Sequence, residues 1–217
     1  MADVGGSLKE MSAVYAPEDV PLCTDAESSF WKQTLPVFFC TDNYGRAIEG
    51  DATQVFARWT HGSLYLLSAC PYRELWLKPD PQTACATPQL WEWDVAELFI
   101  GCDAESARHY KEFEISPQAE WLDLDVDLEA PGRTRDAQWA SGFEVKSTVD
   151  QERSIWYGSM RIPFEALGVS CPKVGDRWRI NLLRSQGPEH QLLAWQPSMS
   201  ETFHVPERFG ELVLKSL

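Results

Sequence analysis

Apolar residues recur at every second position along most of the chain, and that period constrains the fold more than any other feature. Successive side chains of a strand point to opposite faces, so a period of two marks strands with one buried side. In Trp121–Leu128, Leu122, Leu124, Val126 and Leu128 point one way, and Trp121, Asp123, Asp125 and Asp127 the other. In Arg177–Arg184, Trp178, Ile180 and Leu182 oppose Arg179 and Asn181. Such runs, separated by Gly, Pro, Asp and Asn, predict strands at Val37–Phe39, Gln54–Trp59, Leu64–Cys70, Val95–Ile100, His109–Ile115, Trp121–Val126, Phe143–Val149, Ile155–Ile162, Arg177–Arg184, Gln191–Trp195 and Glu211–Leu214. One helical turn is expected, at Pro163–Leu167, where Pro suits a first turn and Gly168 supplies a stop. Two antiparallel sheets packed face to face satisfy this pattern. The expected class is all-β, an antiparallel sandwich of immunoglobulin-like or jelly-roll-like type with about ten or more strands. Residues 1–30 lack periodicity and are expected to form an irregular N-terminal arm, leaving 31–217 as the sandwich. Pro79, Pro81 and Pro88 mark a long loop running into Trp91.

With 217 residues, 44% of them apolar, the chain can bury one sizeable core. Asp and Glu number 33 against 19 Lys and Arg, a net charge of −14, with no basic cluster to offset it. Nucleic acid and anionic membrane surfaces are therefore excluded as partners. No apolar run approaches the ~20 residues that span a bilayer. Met1–Tyr15 has no apolar run of leader type, so the encoded chain is expected to be soluble and cytoplasmic, or extracellular or periplasmic had a signal been removed. The six cysteines form no Cys-x-x-Cys pair and no zinc-spaced cluster, and are expected as free thiols. Ten Trp on an acidic chain suit neutral polyhydroxylated ligands, whose C–H faces stack on indoles while their hydroxyls bond to carboxylates and amides.

Five ordered segments are more specific: 91–100 (WEWDVAELFI), 110–117 (YKEFEISP), 178–182 (WRINL), 194–197 (AWQP) and 203–210 (FHVPERFG). Across roughly residues 30 to 217 the chain resembles the carbohydrate-binding module family 9-like domains, part of a group of β-sandwiches that includes the DOMON sugar- and haem-binding domains. The resemblance implies a carbohydrate ligand held on one side of the sandwich, with two Trp side chains clamping a terminal sugar ring. Trp91, Glu97 six residues on, and Trp195 match the corresponding positions. The expected ligand set is Trp91 and Trp195 as stacking platforms, Glu97, Asn181 and Arg184 as hydroxyl partners, and Glu112 as a further ligand-binding residue. Where the xylan- and glucan-binding members carry an Arg on the next strand, Glu112 and Glu114 stand here.

Other readings of the same residues stay open. Trp91 and Trp195 could instead be packing residues, and Trp93 is expected in the core. A half-buried Glu97 needs a partner, for which Arg58, Arg179 or Arg184 could serve. A glycoside hydrolase, or an accessory domain of one, would need two carboxylates about 5–10 Å apart, for which Asp94, Glu97, Glu112 and Glu114 are available. No Gly-x-Ser-x-Gly elbow occurs, and His61, His109, His190 and His204 are scattered, so catalysis is not expected. A structural or interaction sandwich is the third reading. Asp123, Asp125 and Asp127 could give oxygen ligands to Ca²⁺, although their spacing is equally that of a solvated strand face. No other cofactor is expected; Met160 has no evident partner for haem.

Overall fold

The computed structural model describes residues 9–50, 52–103, 105–130, 134–136 and 139–217. Its strands are β1 (Glu10–Tyr15), β2 (Val37–Phe39), β3 (Thr53–Trp59), β4 (Ser63–Pro71), β5 (Val95–Gly101), β6 (His109–Ile115), β7 (Trp121–Asp127), β8 (Thr134–Asp136), β9 (Glu144–Asp150), β10 (Ile155–Pro163), β11 (Arg177–Gln186), β12 (Gln191–Ala194) and β13 (Gly210–Lys215). Only short 3₁₀ turns interrupt them among the described residues. One, Phe164–Leu167, is the expected helical turn and is ended by Gly168 at φ 72°. Another, Leu90–Glu92, leads into β5.

Hydrogen bonding runs in the order β8-β7-β6-β5-β11-β13-β1-β3-β4-β10-β9, with β12 on β11 and β2 on β3. The path folds over on itself. Strands β8 to β13 in that order form a front layer, β3 to β9 a back layer, and β1 joins them. All the pairings are antiparallel except those of β1, which lies parallel to both β13 and β3. Part of the segment expected as an arm is thus a connecting strand. Met11 and Ala13, two apart on it, are buried in the core.

Period-two alternation builds the interior. Ala96, Leu98 and Ile100 of β5, Phe113 and Ile115 of β6, and Trp178, Ile180 and Leu182 of β11 meet Leu64, Leu66 and Cys70 of β4 and Trp156, Met160 and Ile162 of β10. The layers pack tightly at Gly158: an added Cβ would stand 2.8 Å from Trp156 and 3.0 Å from Ile115, so no larger residue fits.

Both outer faces are also partly covered. Behind the back layer, Val20, Leu22, Ala26, Phe30 and Trp31 pack on Phe56, Tyr65 and Leu67. Buried Arg58 ties this segment down, donating to the carbonyls of Val14 (2.9 Å), Tyr15 (2.7 Å) and Phe30 (2.5 Å). In front, a second apolar cluster covers the outer side of β5, β6 and β7, and this is where the acidic residues gather.

Candidate functional site

Alternation along β5 that sends Ala96, Leu98 and Ile100 inward sends Val95, Glu97 and Phe99 to the front face. The β5–β6 register places Glu97 opposite Glu114 and Phe99 opposite Glu112. Glu112 and Glu114 are two apart on β6 and share that face. The three carboxylates therefore converge, each offering one oxygen within 4.8 Å of the others. They are not surface acids: Glu97 is 6% exposed, Glu112 3% and Glu114 0%. Burial pushes the Glu97 carboxyl well above the usual carboxylate range, the charge of Glu112 pushes it further, and the Ser185 hydroxyl opposes both. Glu97 Oε1 is buried without a hydrogen-bond partner. Three hard oxygen donors in this arrangement could hold a divalent cation.

The frame around the carboxylates is apolar and aromatic. Leu90, Val95, Phe99, Leu122, Leu124, Phe203 and Phe209 form a continuous buried cluster, and half-exposed Trp91 packs against it. The Trp91 carbonyl lies 2.7 Å from His190 Nε2, which anchors the loop that carries the indole. His204 stacks on Phe99 at 5.0 Å between centroids, and its Nδ1 lies 2.5 Å from the Tyr110 hydroxyl. Sequence reasoning overlooked this Tyr110–His204 pair, which the 198–209 loop brings together over 94 residues.

Of the six expected ligand residues, Trp91, Glu97 and Glu112 share the front face, and the other three are corrected by their surroundings. Trp195 lies in the core between the layers, 2% exposed, on the opposite side of the front sheet from Trp91, so these two indoles do not face each other. Asn181 is buried and bonded within the chain, donating to the Gln196 carbonyl (2.8 Å) and accepting from the Gln196 and Leu182 N–H groups (3.0 Å each). Arg184 shares the inward side of β11 with Leu182 and donates to the Pro71 carbonyl (2.7 Å) and Thr53 Oγ1 (3.2 Å). The ion pair anticipated for Glu97 also fails. Arg58 is committed as described, Arg184 lies on the opposite side of the front sheet from Glu97, and Arg179 donates to the carbonyls of Asp103 (2.7 Å) and Ser106 (2.8 Å).

Nor does the aspartate row stand open to Ca²⁺. Asp123 accepts from the Ser141 N–H (2.8 Å), and Asp127 from the N–H groups of Glu129 (2.8 Å) and Ala130 (3.1 Å). Asp125 lies 2.6 Å from both His109 Nε2 and Lys111 Nζ. Burial would raise its pKa, but these two partners hold the carboxyl below its ordinary range. Trp93, expected in the core, is half-buried and stacks on 41%-exposed Trp76 at 5.4 Å. A cleft of about 700 Å³ opens elsewhere, among Cys40, Glu49, Tyr72, Arg73, Glu189 and Leu193. Neither Trp91 nor Glu97 lines it.

Comparison with known proteins follows this geometry. Over 96% of its length the chain superposes on the whole of a Bacteroides uniformis protein provisionally described as carbohydrate-binding, with a TM-score of 0.70 and 17% identity. Over the same share it matches a family 9 carbohydrate-binding module of Caldicellulosiruptor kristjanssonii. That module was solved with cellotriose (TM-score 0.62, 16% identity, 95% of that chain) and with glucose (0.61, 16%, 97%). The fold is that of a family 9 carbohydrate-binding module. No protein-family model matches the chain. A curated Arthroderma benhamiae relative named "Extracellular protein" is 27% identical over 138 residues, 57% of this chain and 62% of its own length. The match thus spans under two thirds of that relative. The expected cytoplasmic location is corrected by this relative, whose name places it outside the cell. No described helix is long and apolar enough to cross a membrane.

Proposed function

We propose that the protein binds carbohydrate on the front face of its family 9-like sandwich, with Trp91 as the stacking platform and Glu97 and Glu112 as hydroxyl acceptors. The observation that carries this reading is the seating of half-exposed Trp91 on the apolar frame around the buried carboxylates, an indole beside hydrogen-bond acceptors. The cellotriose and glucose complexes of a module with the same fold support it. Binding without hydrolysis is the favoured chemistry. A glycosidase flanks the scissile bond with its two carboxylates, whereas these rise from neighbouring strands and would meet a sugar from one side.

Titration calorimetry with glucose, cellotriose and xylotriose tests the proposal. Trp91→Ala is expected to weaken binding by about 2 kcal/mol, about 30-fold, the size of effect typical of an aromatic anchor. Its melting temperature should fall less than that of a fully buried tryptophan variant, since the Trp91 ring is only partly buried. No heat from any of the three sugars with the parent protein, or unchanged affinity in Trp91→Ala, would overturn the assignment.

A further inference from the structure

We propose that Glu97, Glu112 and Glu114 form a binding site for a hard divalent cation of the Ca²⁺ class. The site is built by the β5–β6 register, which sets Glu97 opposite Glu114 with Glu112 beside them on one face. One oxygen from each residue falls within 4.8 Å of the other two. Ca²⁺ takes oxygen ligands at about 2.3–2.6 Å in flexible geometry, so carboxylates this close can share one ion. Mg²⁺ demands near-ideal octahedral geometry and keeps several of its waters, so a cage built only from protein carboxylates suits it less well. The donor set is all carboxylate, which selects hard cations over those that prefer imidazole or thiolate.

A second observation points to a missing ligand. Glu97 is more than nine-tenths buried, yet its Oε1 has no hydrogen-bond partner. Buried polar atoms are nearly always satisfied, and an orphaned carboxylate oxygen costs more than a neutral one. Arg58 and Arg179 are spent on backbone carbonyls, and Arg184 points to the inward side of β11, where it bonds Pro71 and Thr53. An ion among the three groups would satisfy Oε1 and reverse the Glu97–Glu112 repulsion, since like charges in a dry site become stabilising once a cation stands between them. The inference depends only on the carboxylates and stands whether or not a sugar binds above them.

The test uses the full chain, stripped with EDTA and dialysed, without sugar. CaCl₂, MgCl₂ and MnCl₂ are titrated separately at pH 7 and followed by calorimetry and thermal melting. Terbium is added in a parallel series and its Trp-sensitised luminescence recorded. Ca²⁺ should raise the melting temperature by several degrees, more than Mg²⁺ does, and should displace Tb³⁺. Glu97→Gln and Glu112→Gln should each lose at least tenfold in Ca²⁺ affinity, while Asp125→Asn should retain the parent response. If a Gln variant does not fold, terbium displacement in the parent and the Asp125→Asn control still decide. The proposal fails if millimolar Ca²⁺ changes neither melting nor terbium emission, or if the response survives in Glu97→Gln or vanishes in Asp125→Asn. Because no sugar is present, this failure is distinct from failure of the carbohydrate reading.

Discussion

Replacing Trp195 with alanine is expected to lower the unfolding free energy by about 3–5 kcal/mol, the cost of emptying a core site the size of an indole. The ring lies between the layers at 2% exposure, against Gly210. An added Cβ at Gly210 would stand 2.5 Å from the ring and 2.6 Å from the Lys9 carbonyl, so the indole fills its space without slack. Chemical denaturation of the variant measures the loss, and Trp195→Phe should fall between variant and parent. Sugar affinity, measured where the variant is still folded, should be unaffected. A stability loss below about 1 kcal/mol together with loss of sugar binding would return Trp195 to the ligand site, and this core would need redrawing.

The second large effect concerns pH. Asp94 is buried, and burial raises its pKa to about 6, against the pull of the Gly187 N–H and of Arg184. In the unfolded chain the group titrates at its ordinary value of 3.8. Between those two values the native state holds the proton longer, so the Asp94 contribution to stability falls as pH rises from about 4 to about 6 and levels off above. The loss is about 2–3 kcal/mol, at about 1.4 kcal/mol per pKa unit. Asp42 and Asp125 have the opposite shift, and their contribution is lost as pH falls below about 4. Unfolding midpoints from pH 3 to 8 should therefore peak near pH 4–5. Asp94→Asn should reduce the fall above the peak, leaving the part that belongs to Glu97, whose pKa is also raised, while keeping the acceptor for the Gly187 N–H, which lies 2.5 Å away. A variant with the parent's slope would assign the titration elsewhere.

How far the sequence disclosed this molecule follows from what each feature depends on. Strands with strong alternation, such as Trp121–Asp127 or Arg177–Gln186, declared themselves, because one face of each is buried and the period is local. β1 did not: Glu10–Tyr15 places only Met11 and Ala13 inward, too weak a signal over six residues. β8, three residues without an apolar side chain, gave no signal at all. The burial of Arg184 was legible, since it falls in step with Trp178, Ile180 and Leu182 on the inward side. Trp195 likewise continues the inward series of Leu193, and that local pattern was the better guide than the matched position. The convergence of Glu97 with Glu112 and Glu114 lay beyond local pattern, because it depends on the register across the β5–β6 connection. The Tyr110–His204 contact depends on a loop returning from the far end of the chain.

The placement of β1 also sets an order of events. Its register joins Glu10 to Glu211, about 200 residues away, so during synthesis β1 can pair with β3 early and with β13 only after the intervening strands have been made. Until β13 arrives, the front and back layers have no shared strand, and the free edge of β1 is open to pairing with other chains. A nascent chain interrupted before Gly210 would thus be an aggregation hazard, even with nearly all of its core residues already made. The pairing of β13 with β1 is thus the fastener of the whole sandwich.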